Sequence, residues 1–248
     1  MKHELALIVP AAGRGSRFAE IGIKAPKPLI ELAGRPFFWW SVESVRRVYP
    51  LRQIVFVVLA EHIEAFAIDK VIKLYYPDAT IVAIPELTGG AAETAKIGMA
   101  ALKVSGPVAI NDCDHSFICR PVHEETGALD AGFEGLLMSF RSAKPAYSYI
   151  RLDSGNKVIG TVEKQVVSPY AIAGCYLFAD SERFIRLYER YQAECPYAEL
   201  FISGMFNLLA DENSKIGMRE LDRHCSFGTP EEKAAISEEM FAPFLLWK

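Results

Sequence analysis

A turn rich in glycine and arginine near the N-terminus contains the first residues suited to chemistry. It runs from Gly13 to Arg17 and closely follows a short apolar segment that ends at Val9. Glycines allow backbone N–H groups to approach and wrap a phosphate chain, and arginines can bind phosphate oxygens with two parallel hydrogen bonds. The same turn is equally compatible with a tight strand-to-helix connection whose arginines are solvated. Alone, it does not decide between these two interpretations.

A lysine flanked by prolines follows the turn. Lys27 stands between Pro26 and Pro28, and the proline rings restrict the backbone, so the ammonium group can be held at one place over a phosphate. The chain has neither the Gly-x-x-x-x-Gly-Lys-Ser/Thr pattern of P-loops nor the Gly-x-Gly-x-x-Gly pattern of dinucleotide folds here. Turn and lysine together predict a nucleotide-phosphate site of another kind.

Two carboxylates follow an apolar segment in the middle of the chain. Asp112 and Asp114 come directly after Val108–Asn111. They are therefore expected at the C-terminal end of a strand, the side on which an open α/β sheet binds its ligands. Mg²⁺ binds one or two carboxylates together with substrate phosphate oxygens, so an aspartate here is a candidate metal ligand. Asp112 is equally suited to capping the turn.

The segments that must position these residues alternate between strand-like and helix-like patterns, as in βαβ units. The predicted strands of the first half are Leu5–Val9, Gln53–Leu59, Thr80–Pro85 and Val108–Asn111. The predicted helices between them are Phe37–Val48, His62–Leu74 and Ala91–Lys103. Continuous apolar runs of this kind predict parallel strands buried on both faces.

Closely spaced strand-like segments follow Asp114 and predict an added antiparallel piece. These strands are Glu134–Phe140, Ala146–Leu152, Lys157–Glu163 and Ile172–Phe178, and the helices after them are Ser181–Glu194, Ala198–Ala210 and Pro230–Met240. We predict the α/β class, with residues 1–248 as a single doubly wound, Rossmann-like domain. Its sheet is mixed and mostly parallel, with helices on both faces and a small antiparallel lobe.

The composition is that of a self-folding chain without a broad polyanion-binding surface. Hydrophobic residues make up 51%, charged residues 23%, and the net charge is −4, which argues against a general nucleic-acid or anionic-membrane surface. The chain shows no secretory pattern and no bilayer-spanning stretch, so a cytoplasmic protein is expected. The five cysteines are scattered, which predicts reduced thiols. The spacing of Cys113, His115, Cys119 and His123 fits no standard zinc pattern.

The chain resembles the sugar-1-phosphate nucleotidylyltransferase family in the order of its motifs. The family pattern is a glycine-rich turn, Gly-x-x-Ser/Thr-Arg, a spacer and Pro-Lys-Pro-Leu, and the chain is similar to it from Ala11 to Leu29. Further segments resemble the family in the same order, and these are Glu86–Thr94, Asn111–His115, Thr161–Lys164, Ala173–Phe178 and Cys225–Glu232. A chance agreement of so compound a pattern is improbable.

The resemblance implies a role for each of these segments. The residues implied to bind the nucleotide are Ala11, Ala12, Gly13, Arg14, Gly15, Ser16, Gly89, Gly90 and Asp112. Those implied to bind the acceptor are Glu163, Lys164 and Gly174. Catalysis would depend on Arg17, Lys27, Asp114 and Lys164, with Asp114 as the Mg²⁺ ligand. Residues 1–115 would then be the nucleotide-binding half and residues 116–248 the acceptor-binding half.

Three of these segments also have a purely structural interpretation. Gly89 and Gly90 suit the N-terminus of a helix as well as a nucleobase site. Glu163 and Lys164 suit an exposed strand end. Gly174 is better explained, from the residues alone, by close packing within a buried strand.

One position departs from the family pattern. In well-known members an aspartate stands two residues before the glycine of the Gly-Thr-Pro-Glu-Asp segment and is the second metal ligand, whereas this chain has Ser226 there. Asp222 or His224 can compensate, Mg²⁺ can keep more water ligands, or the enzyme is weak or inactive. These alternatives stay open at the level of sequence.

The resemblance implies a cytoplasmic nucleotidyltransferase that joins NMP from an NTP to a sugar 1-phosphate, or a similar phosphorylated small molecule, and releases pyrophosphate. Family members of this size mostly feed surface-polysaccharide biosynthesis, and phosphocholine or other phosphorylated alcohols are alternative acceptors. The expected partners are the NTP, the acceptor and Mg²⁺, without nucleic acid or membrane, and a homo-oligomer is compatible with the sequence. One alternative is a nucleotide-sugar-dependent glycosyltransferase, suggested by Asp112-Cys113-Asp114. A second is a non-catalytic regulatory homologue, suggested by Ser226.

Overall fold

Thirteen strands and nine α-helices build residues 4–120 and 132–247, the part of the chain that the computed structural model describes. The strands are β1 Leu5–Pro10, β2 Glu31–Leu32, β3 Arg35–Pro36, β4 Leu51–Leu59, β5 Thr80–Ile84, β6 Val108–Asn111, β7 His115–Ile118, β8 Gly135–Arg141, β9 Ser148–Leu152, β10 Val158–Glu163, β11 Tyr170–Phe178, β12 Ile216–Glu220 and β13 Arg223–Ser226. The helices are α1 Ser16–Glu20, α2 Phe37–Arg46, α3 Ala60–Phe66, α4 Ile68–Tyr75, α5 Ala91–Met99, α6 Ser181–Glu194, α7 Ile202–Asp211, α8 Pro230–Ala234 and α9 Glu238–Leu246. A 3₁₀ turn covers Lys27–Leu29.

A nine-stranded mixed sheet forms the centre of the fold. Its order is β5-β4-β1-β6-β11-β8-β12, and β9 and β10 are added beside the first half of β11. Within this sheet only β10 and β11 run against the common direction of the other strands. The predicted α/β class with a mixed, mostly parallel sheet is therefore confirmed. Two small antiparallel pairs, β2 with β3 and β7 with β13, lie outside the main sheet.

Hydrophobic cores cover both faces of the sheet. Along β1, Leu5, Leu7 and Val9 belong to one core, and Ala6 and Ile8 belong to the other. Helices α2 and α4 supply the first core, whereas α5, α6 and α7 supply the second. A strand with apolar neighbours on both faces has no position for a polar residue. This explains why the sequence of β1 is apolar throughout.

Strand β11 lies beside β6 in the sheet. This pairing brings the second half of the chain next to the C-terminal ends of the strands in the first half. Because β1, β4, β5 and β6 are parallel, their C-terminal ends meet at one edge of the sheet. Cys175 of β11 pairs with Asn111 at the end of β6. The middle of β11 therefore lies next to the residues that follow β6.

Two predicted helices are each divided in the structure. The predicted helix His62–Leu74 is broken at Ala67, whose left-handed backbone (φ 50°) separates α3 from α4. The predicted helix Pro230–Met240 ends as α8 at Ala234, and Ser237 then caps α9 by accepting a hydrogen bond from the Met240 N–H. The prediction was wrong at these breaks because their hydrophobic spacing continues while the backbone turns.

No helix within residues 4–120 and 132–247 combines the length and the apolar character needed to traverse a lipid bilayer.

Candidate active site

An ion pair between Lys27 and Asp114 lies at the C-terminal edge of the sheet. The Lys27 Nζ donates a hydrogen bond of 2.9 Å to Asp114 Oδ2, and both side chains are about one-quarter exposed, at 27% and 24%. The negative charge of Asp114 raises the pKa of Lys27 above its usual value. Burial opposes ionisation of Asp114, but the charge and hydrogen bond of Lys27 outweigh it, so the pKa of Asp114 is lowered. Both groups are therefore charged near neutral pH.

Asp112 is held beside Gly174 by its main chain. Its N–H donates to the Gly174 carbonyl at 2.9 Å, and its own carbonyl accepts from Ser41 Oγ at 2.5 Å. Gly174 has a left-handed backbone (φ 68°), and a Cβ at this position would stand only 2.6 Å from Asp112 Oδ2. Gly174 therefore leaves space for the Asp112 carboxylate. Burial, followed by the negative charge of Asp114, raises the pKa of Asp112 to about 7.

We expect Asp112→Asn to stabilise the metal-free protein at pH 8 but not at pH 4. The folded-state pKa of about 7 is higher than that of an aspartate in an unfolded chain, about 3.9. Because the folded state binds the proton more tightly, the free energy of unfolding falls as pH rises from about 4 to about 7. Asparagine carries no such proton. In EDTA, the Tm of the variant should exceed that of the parent by a few degrees at pH 8 and nearly coincide with it at pH 4.

The exposed aspartate Asp78 provides the control for this measurement. Asp78→Asn should leave the Tm unchanged at both pH values. An equal Tm shift for Asp112→Asn at pH 4 and pH 8 would contradict the assigned titration.

The glycine- and arginine-rich turn leads from β1 into α1. Gly15 caps α1 with a left-handed backbone (φ 63°), and a Cβ there would stand 3.2 Å from the Lys27 Cβ. The side chains of Ala11 and Ala12 are buried, and the Ala11 N–H donates to the Val57 carbonyl at 2.8 Å. The Ala11 N–H is therefore already used within the fold.

Three side chains of the turn are exposed to solvent. Arg14 approaches Glu61 at 3.5 Å, and Ser16 begins α1. Arg17 borders the larger of the two cavities described below. The turn therefore presents one guanidinium to this cavity and holds the other beside α3.

Gly13 differs from Gly15 because nothing in the fold explains the need for glycine there. No described protein atom lies within 4 Å of a Cβ built on Gly13, and its backbone is not left-handed. We expect Gly13→Ala to leave the Tm nearly unchanged and to raise the KM for NTP by about tenfold. The added methyl would obstruct only a ligand that contacts the main chain.

Gly155 supplies the matched control, because it lies in the β9–β10 turn, has no left-handed backbone, and would place its Cβ in ordinary contact 3.4 Å from Asp153. Gly155→Ala should change neither the Tm nor the KM for NTP. Unchanged nucleotide kinetics for Gly13→Ala would remove Gly13 from the site.

The segment containing Gly89 and Gly90 is bonded to the chain just before α7. Leu200 N–H donates to the Gly89 carbonyl at 2.9 Å, and the Ala92 N–H donates to the Leu200 carbonyl at 2.9 Å. A Cβ on Gly90 would stand 2.5 Å from the Leu200 nitrogen. The glycine at position 90 is thus explained by close packing against Leu200, so a nucleobase has to approach this segment from another side.

Two cavities meet at the Lys27–Asp114 pair. The smaller cavity, about 140 Å³, is lined by Pro10, Gly13, Lys27, Pro28, Asp112, Cys113 and Asp114. The larger cavity, about 280 Å³, shares Lys27, Asp112 and Asp114 with it and extends to Glu163, Lys164 and the start of α7. The three shared residues therefore separate a space beside the glycine turn from a space formed by the second half of the chain.

Glu163 and Lys164 stand at the end of β10 on the larger cavity. Lys164 has a left-handed backbone (φ 54°), and its N–H donates to the Tyr147 carbonyl at 3.1 Å. Its ammonium lies over the Phe201 ring at 5.6 Å. Ser203, in the first turn of α7, donates a hydrogen bond to Glu163 Oε1. A non-glycine residue in this backbone region costs about 1–3 kcal/mol and is often found at functional sites.

The position of Ser226 is linked to a carboxylate from α8. Ser226 Oγ donates to Glu232 Oε2 at 2.8 Å, and Tyr147 donates to Glu232 Oε1 at 2.9 Å. Glu232 also completes a capping box with Thr229, which fixes its backbone at the start of α8. Both Ser226 and Glu232 line the larger cavity. The sequence motifs do not point to Glu232 as a site residue, although the Thr-x-x-Glu capping pattern of Thr229 and Glu232 is present.

The two residues considered as substitutes for the family's aspartate have different locations. Asp222 stands at the opposite end of β13 and accepts a hydrogen bond of 2.7 Å from the Arg120 N–H, and it does not line the larger cavity. His224 does line that cavity. The structure therefore brings His224, but not Asp222, to the site.

The histidine and cysteine residues near β7 do not form a metal cluster in the described part of the chain. The Cys119 side chain is buried in the hydrophobic core. His115 lines the larger cavity, whereas Cys113 lines the smaller one. His123 lies outside the described residues.

The chain thus combines a doubly wound sheet, a glycine turn after β1 and a lysine–aspartate pair between two cavities. Residues 7–128 match the family model of the MobA-like NTP transferase domain. These residues are therefore similar to that domain, which confirms the predicted resemblance to nucleotidyltransferases at that level.

Two solved structures share the fold over nearly the whole chain. A nucleoside-diphosphate-sugar pyrophosphorylase from Vibrio cholerae RC9 has a TM-score of 0.78 at 24% identity, with 96% of this chain and 99% of that chain covered. The inositol-1-phosphate CTP transferase from T. maritima has a TM-score of 0.75 at 12% identity, with 100% and 98% covered. At these identities the likeness extends to the fold alone.

A curated sequence relative matches only a short segment. The 2-C-methyl-D-erythritol 4-phosphate cytidylyltransferase of Endomicrobium trichonymphae is 39% identical over 59 residues, which are 24% of this chain. The chain thus matches about a quarter, 26%, of the length of that relative.

Proposed function

We propose that the protein is a Mg²⁺-dependent nucleotidyltransferase that joins NMP from an NTP to a sugar 1-phosphate or a similar phosphorylated small molecule. The observation that carries this proposal is the pair of cavities that share Lys27, Asp112 and Asp114. The smaller cavity borders the glycine turn and would receive part of the triphosphate, whereas the larger cavity borders Glu163 and Lys164 and would receive the acceptor. The shared residues lie where the two substrates would meet. Residues 1–248 act as a single domain in this proposal, and the proposed location of the reaction is the cytoplasm.

The reaction is an in-line displacement at phosphorus. An oxygen of the acceptor phosphate forms a bond to the α-phosphorus of the NTP as the bond to the pyrophosphate oxygen breaks, and pyrophosphate leaves with its electron pair. The acceptor phosphate is already a nucleophile, so no protein side chain has to be one. The protein contributes alignment and stabilisation of the developing charge.

Each basic residue of the site has a distinct contribution. Lys27 sits 2.9 Å from Asp114, and its ammonium can transfer from that carboxylate to the triphosphate when the NTP enters. Lys164 holds the acceptor phosphate, and Arg17 contacts phosphate oxygens from the turn. Glu163, fixed by Ser203, accepts a hydrogen bond from an acceptor hydroxyl.

The donor set at the shared residues fits Mg²⁺. Asp112 and Asp114 offer hard carboxylate oxygens, and the pKa of Asp112 is raised partly by the charge of Asp114, so a cation would relieve their repulsion. Asp114 is the proposed ligand, assisted by Asp112, and Glu232 brings a further carboxylate to the position of Ser226. The bound metal would supply charge neutralisation on the triphosphate.

A substrate matrix tests this function. Four NTPs are combined with glucose 1-phosphate, myo-inositol 1-phosphate, erythritol 4-phosphate, phosphocholine and related phosphates, with Mg²⁺, and pyrophosphate release is measured. Pyrophosphate release that requires one NTP and one acceptor supports the proposal. Transfer from a UDP- or GDP-sugar without pyrophosphate release would instead identify a glycosyltransferase. NTP binding without turnover by any acceptor would identify a non-catalytic homologue.

A further inference from the structure

The ion pair between Lys27 and Asp114 is held in place by the main chain on both sides. Lys27 begins a 3₁₀ turn in which its carbonyl accepts from the Ile30 N–H at 3.1 Å. Its Cβ lies against Gly15, where an added Cβ would stand only 3.2 Å away. The Asp114 carbonyl accepts a hydrogen bond of 3.0 Å from the Phe227 N–H. Opening the pair therefore requires movement of the two side chains rather than of the backbone.

The carboxylate oxygen that binds Lys27 is enclosed. A Cβ built on Gly228 would stand only 2.6 Å from Asp114 Oδ2, the same atom that lies 2.9 Å from Lys27 Nζ. Oδ2 thus lies between the lysine ammonium and the main chain of Gly228. A cation that binds this oxygen has to take the place of the ammonium.

Each charge of the pair is the other's only ionic partner in the part of the chain that the structure describes. Among residues 4–120 and 132–247, Lys27 forms no ion pair with a second carboxylate, and Asp114 forms none with a second cationic group. Both side chains are only about one-quarter exposed, so the separated charges would be incompletely solvated. Separation therefore has a free-energy cost that a ligand of either group must offset.

We propose that the Lys27–Asp114 pair is an autoinhibitory latch, which opens at low cost only when a metal ion and a triphosphate arrive together. This inference rests on the proposed function, which assigns Asp114 to the metal and Lys27 to the triphosphate. A free metal ion leaves Lys27 without a partner, and a metal-free triphosphate leaves Asp114 without one. Each alone binds with an affinity reduced by the small fraction of protein in which the pair is open.

The latch differs from the direct attraction between a metal ion and a triphosphate. That attraction acts only when both ligands are present, so it has no influence on the binding of either ligand alone. The latch does have such an influence, because each partner of the pair blocks the other. Removal of Lys27 should therefore strengthen the binding of metal without triphosphate, and removal of the Asp114 charge should strengthen the binding of triphosphate without metal.

Lys27→Met tests the metal side of the latch, since methionine keeps most of the side-chain length and lacks the charge. Binding of Mn²⁺ without nucleotide, followed by electron paramagnetic resonance, should be at least about tenfold tighter than in the wild-type protein. Lys164→Met is the matched control, because Lys164 lines the larger cavity with Asp114 but does not pair with it. It should change the Mn²⁺ affinity by less than about threefold.

Asp114→Asn tests the phosphate side of the latch. The probe is inorganic tripolyphosphate in EDTA at pH 8, which presents the phosphate chain without a base or a metal. Calorimetric binding should be at least about tenfold tighter than in the wild-type protein. Asp112→Asn is the matched control, because it also removes a carboxylate shared by both cavities but leaves the ion pair intact. It should strengthen binding by less than about threefold.

Two further substitutions of Lys27 guard against an effect on the fold. Lys27→Arg keeps a positive charge for Asp114, so its Mn²⁺ affinity should stay within about threefold of the wild-type value. Lys27→Gln replaces Lys27→Met if the Tm of the latter falls, and the same gain in Mn²⁺ affinity is expected. A gain for Lys27→Arg as large as that for the uncharged variant would contradict the latch.

Neither binding measurement requires turnover, which separates this inference from the proposed function. If no acceptor gives pyrophosphate release, the proposed function fails, but both sides of the latch are still measurable. An unchanged Mn²⁺ affinity in the uncharged Lys27 variant, or an unchanged tripolyphosphate affinity in Asp114→Asn, would overturn the latch even in an active enzyme. Gains of equal size in the control variants Lys164→Met and Asp112→Asn would overturn it too, since they would reflect only the overall charge of the cavities.

Discussion

Lys27→Ala is expected to reduce kcat for pyrophosphate release by about 10²- to 10³-fold, the loss typical of removing one group that stabilises charge in the transition state. Lys27 is fixed between two prolines and reaches the point where both cavities meet. Its ammonium is fully charged because Asp114 raises its pKa. Without it, the negative charge that develops in the transition state would be neutralised only by Arg17, Lys164 and the metal.

The fold should survive this substitution. The Lys27 side chain is partly exposed, and the Asp114 carboxylate that it leaves behind can be solvated or paired with a cation. The nearby Lys24 is exposed and lines neither cavity, so Lys24→Ala is the matched control and should retain full activity. Steady-state kinetics and the Tm of both variants provide the measurement. Near-full activity of Lys27→Ala would show that the lysine does not contact the triphosphate.

Asp114→Asn is expected to lower kcat by at least about 10²-fold and to weaken metal binding. The substitution keeps the size of the side chain, so the carbonyl of residue 114 can still accept its hydrogen bond of 3.0 Å from the Phe227 N–H. What it removes is one negative charge at the edge shared by the two cavities. The dependence of rate on Mg²⁺ should move to higher concentration, and the affinity for Mn²⁺, followed by its electron paramagnetic resonance signal, should fall.

Asp222 serves as the control for the metal assignment. It lies at the far end of β13 and caps the Arg120 N–H, so Asp222→Asn should leave Mn²⁺ binding unchanged. If the two variants lose metal affinity equally, or if Asp114→Asn keeps near-full pyrophosphate release, Asp114 is not the metal ligand.

The parts of the site that the sequence predicts well are those encoded locally. The turn after β1, the proline-flanked Lys27 and the two aspartates after β6 all follow from short patterns and from the rule that ligands lie at strand ends. The sheet class also follows from local patterns, since both faces of β1 are buried and its sequence is apolar throughout. These features can be predicted without knowing which distant segments of the chain are in contact.

The parts that the sequence does not predict depend on contacts between distant segments. Lys27 and Asp114 are 87 residues apart, and nothing in either motif shows that they form an ion pair. Glu232 is hydrogen-bonded to Tyr147, which is 85 residues away in the sequence, and nothing in either segment predicts this contact. The close contact of Gly90 with Leu200 similarly gives the glycine a packing role that its motif does not reveal.

The break at Ala67 shows a second reason why sequence patterns fail to predict part of the fold. Hydrophobic spacing continues across α3 and α4, so the pattern predicts one helix, but alanine adopts a left-handed backbone there. The cost of this conformation, roughly 1–2 kcal/mol, has to be offset by tertiary packing, including the burial of Ile68 and Ile72. Such packing cannot be read from local propensity.

The main-chain bonds of Leu200 to Gly89 and Ala92 have a thermodynamic consequence. The helix that begins just after Leu200 carries Ser203, which is hydrogen-bonded to Glu163 on the cavity proposed for the acceptor. If these bonds are kept when a ligand shifts the start of this helix, the segment around Gly89 shifts with it, and the reverse holds as well. Occupancy of one substrate site would then change the affinity of the other by the same factor in both directions.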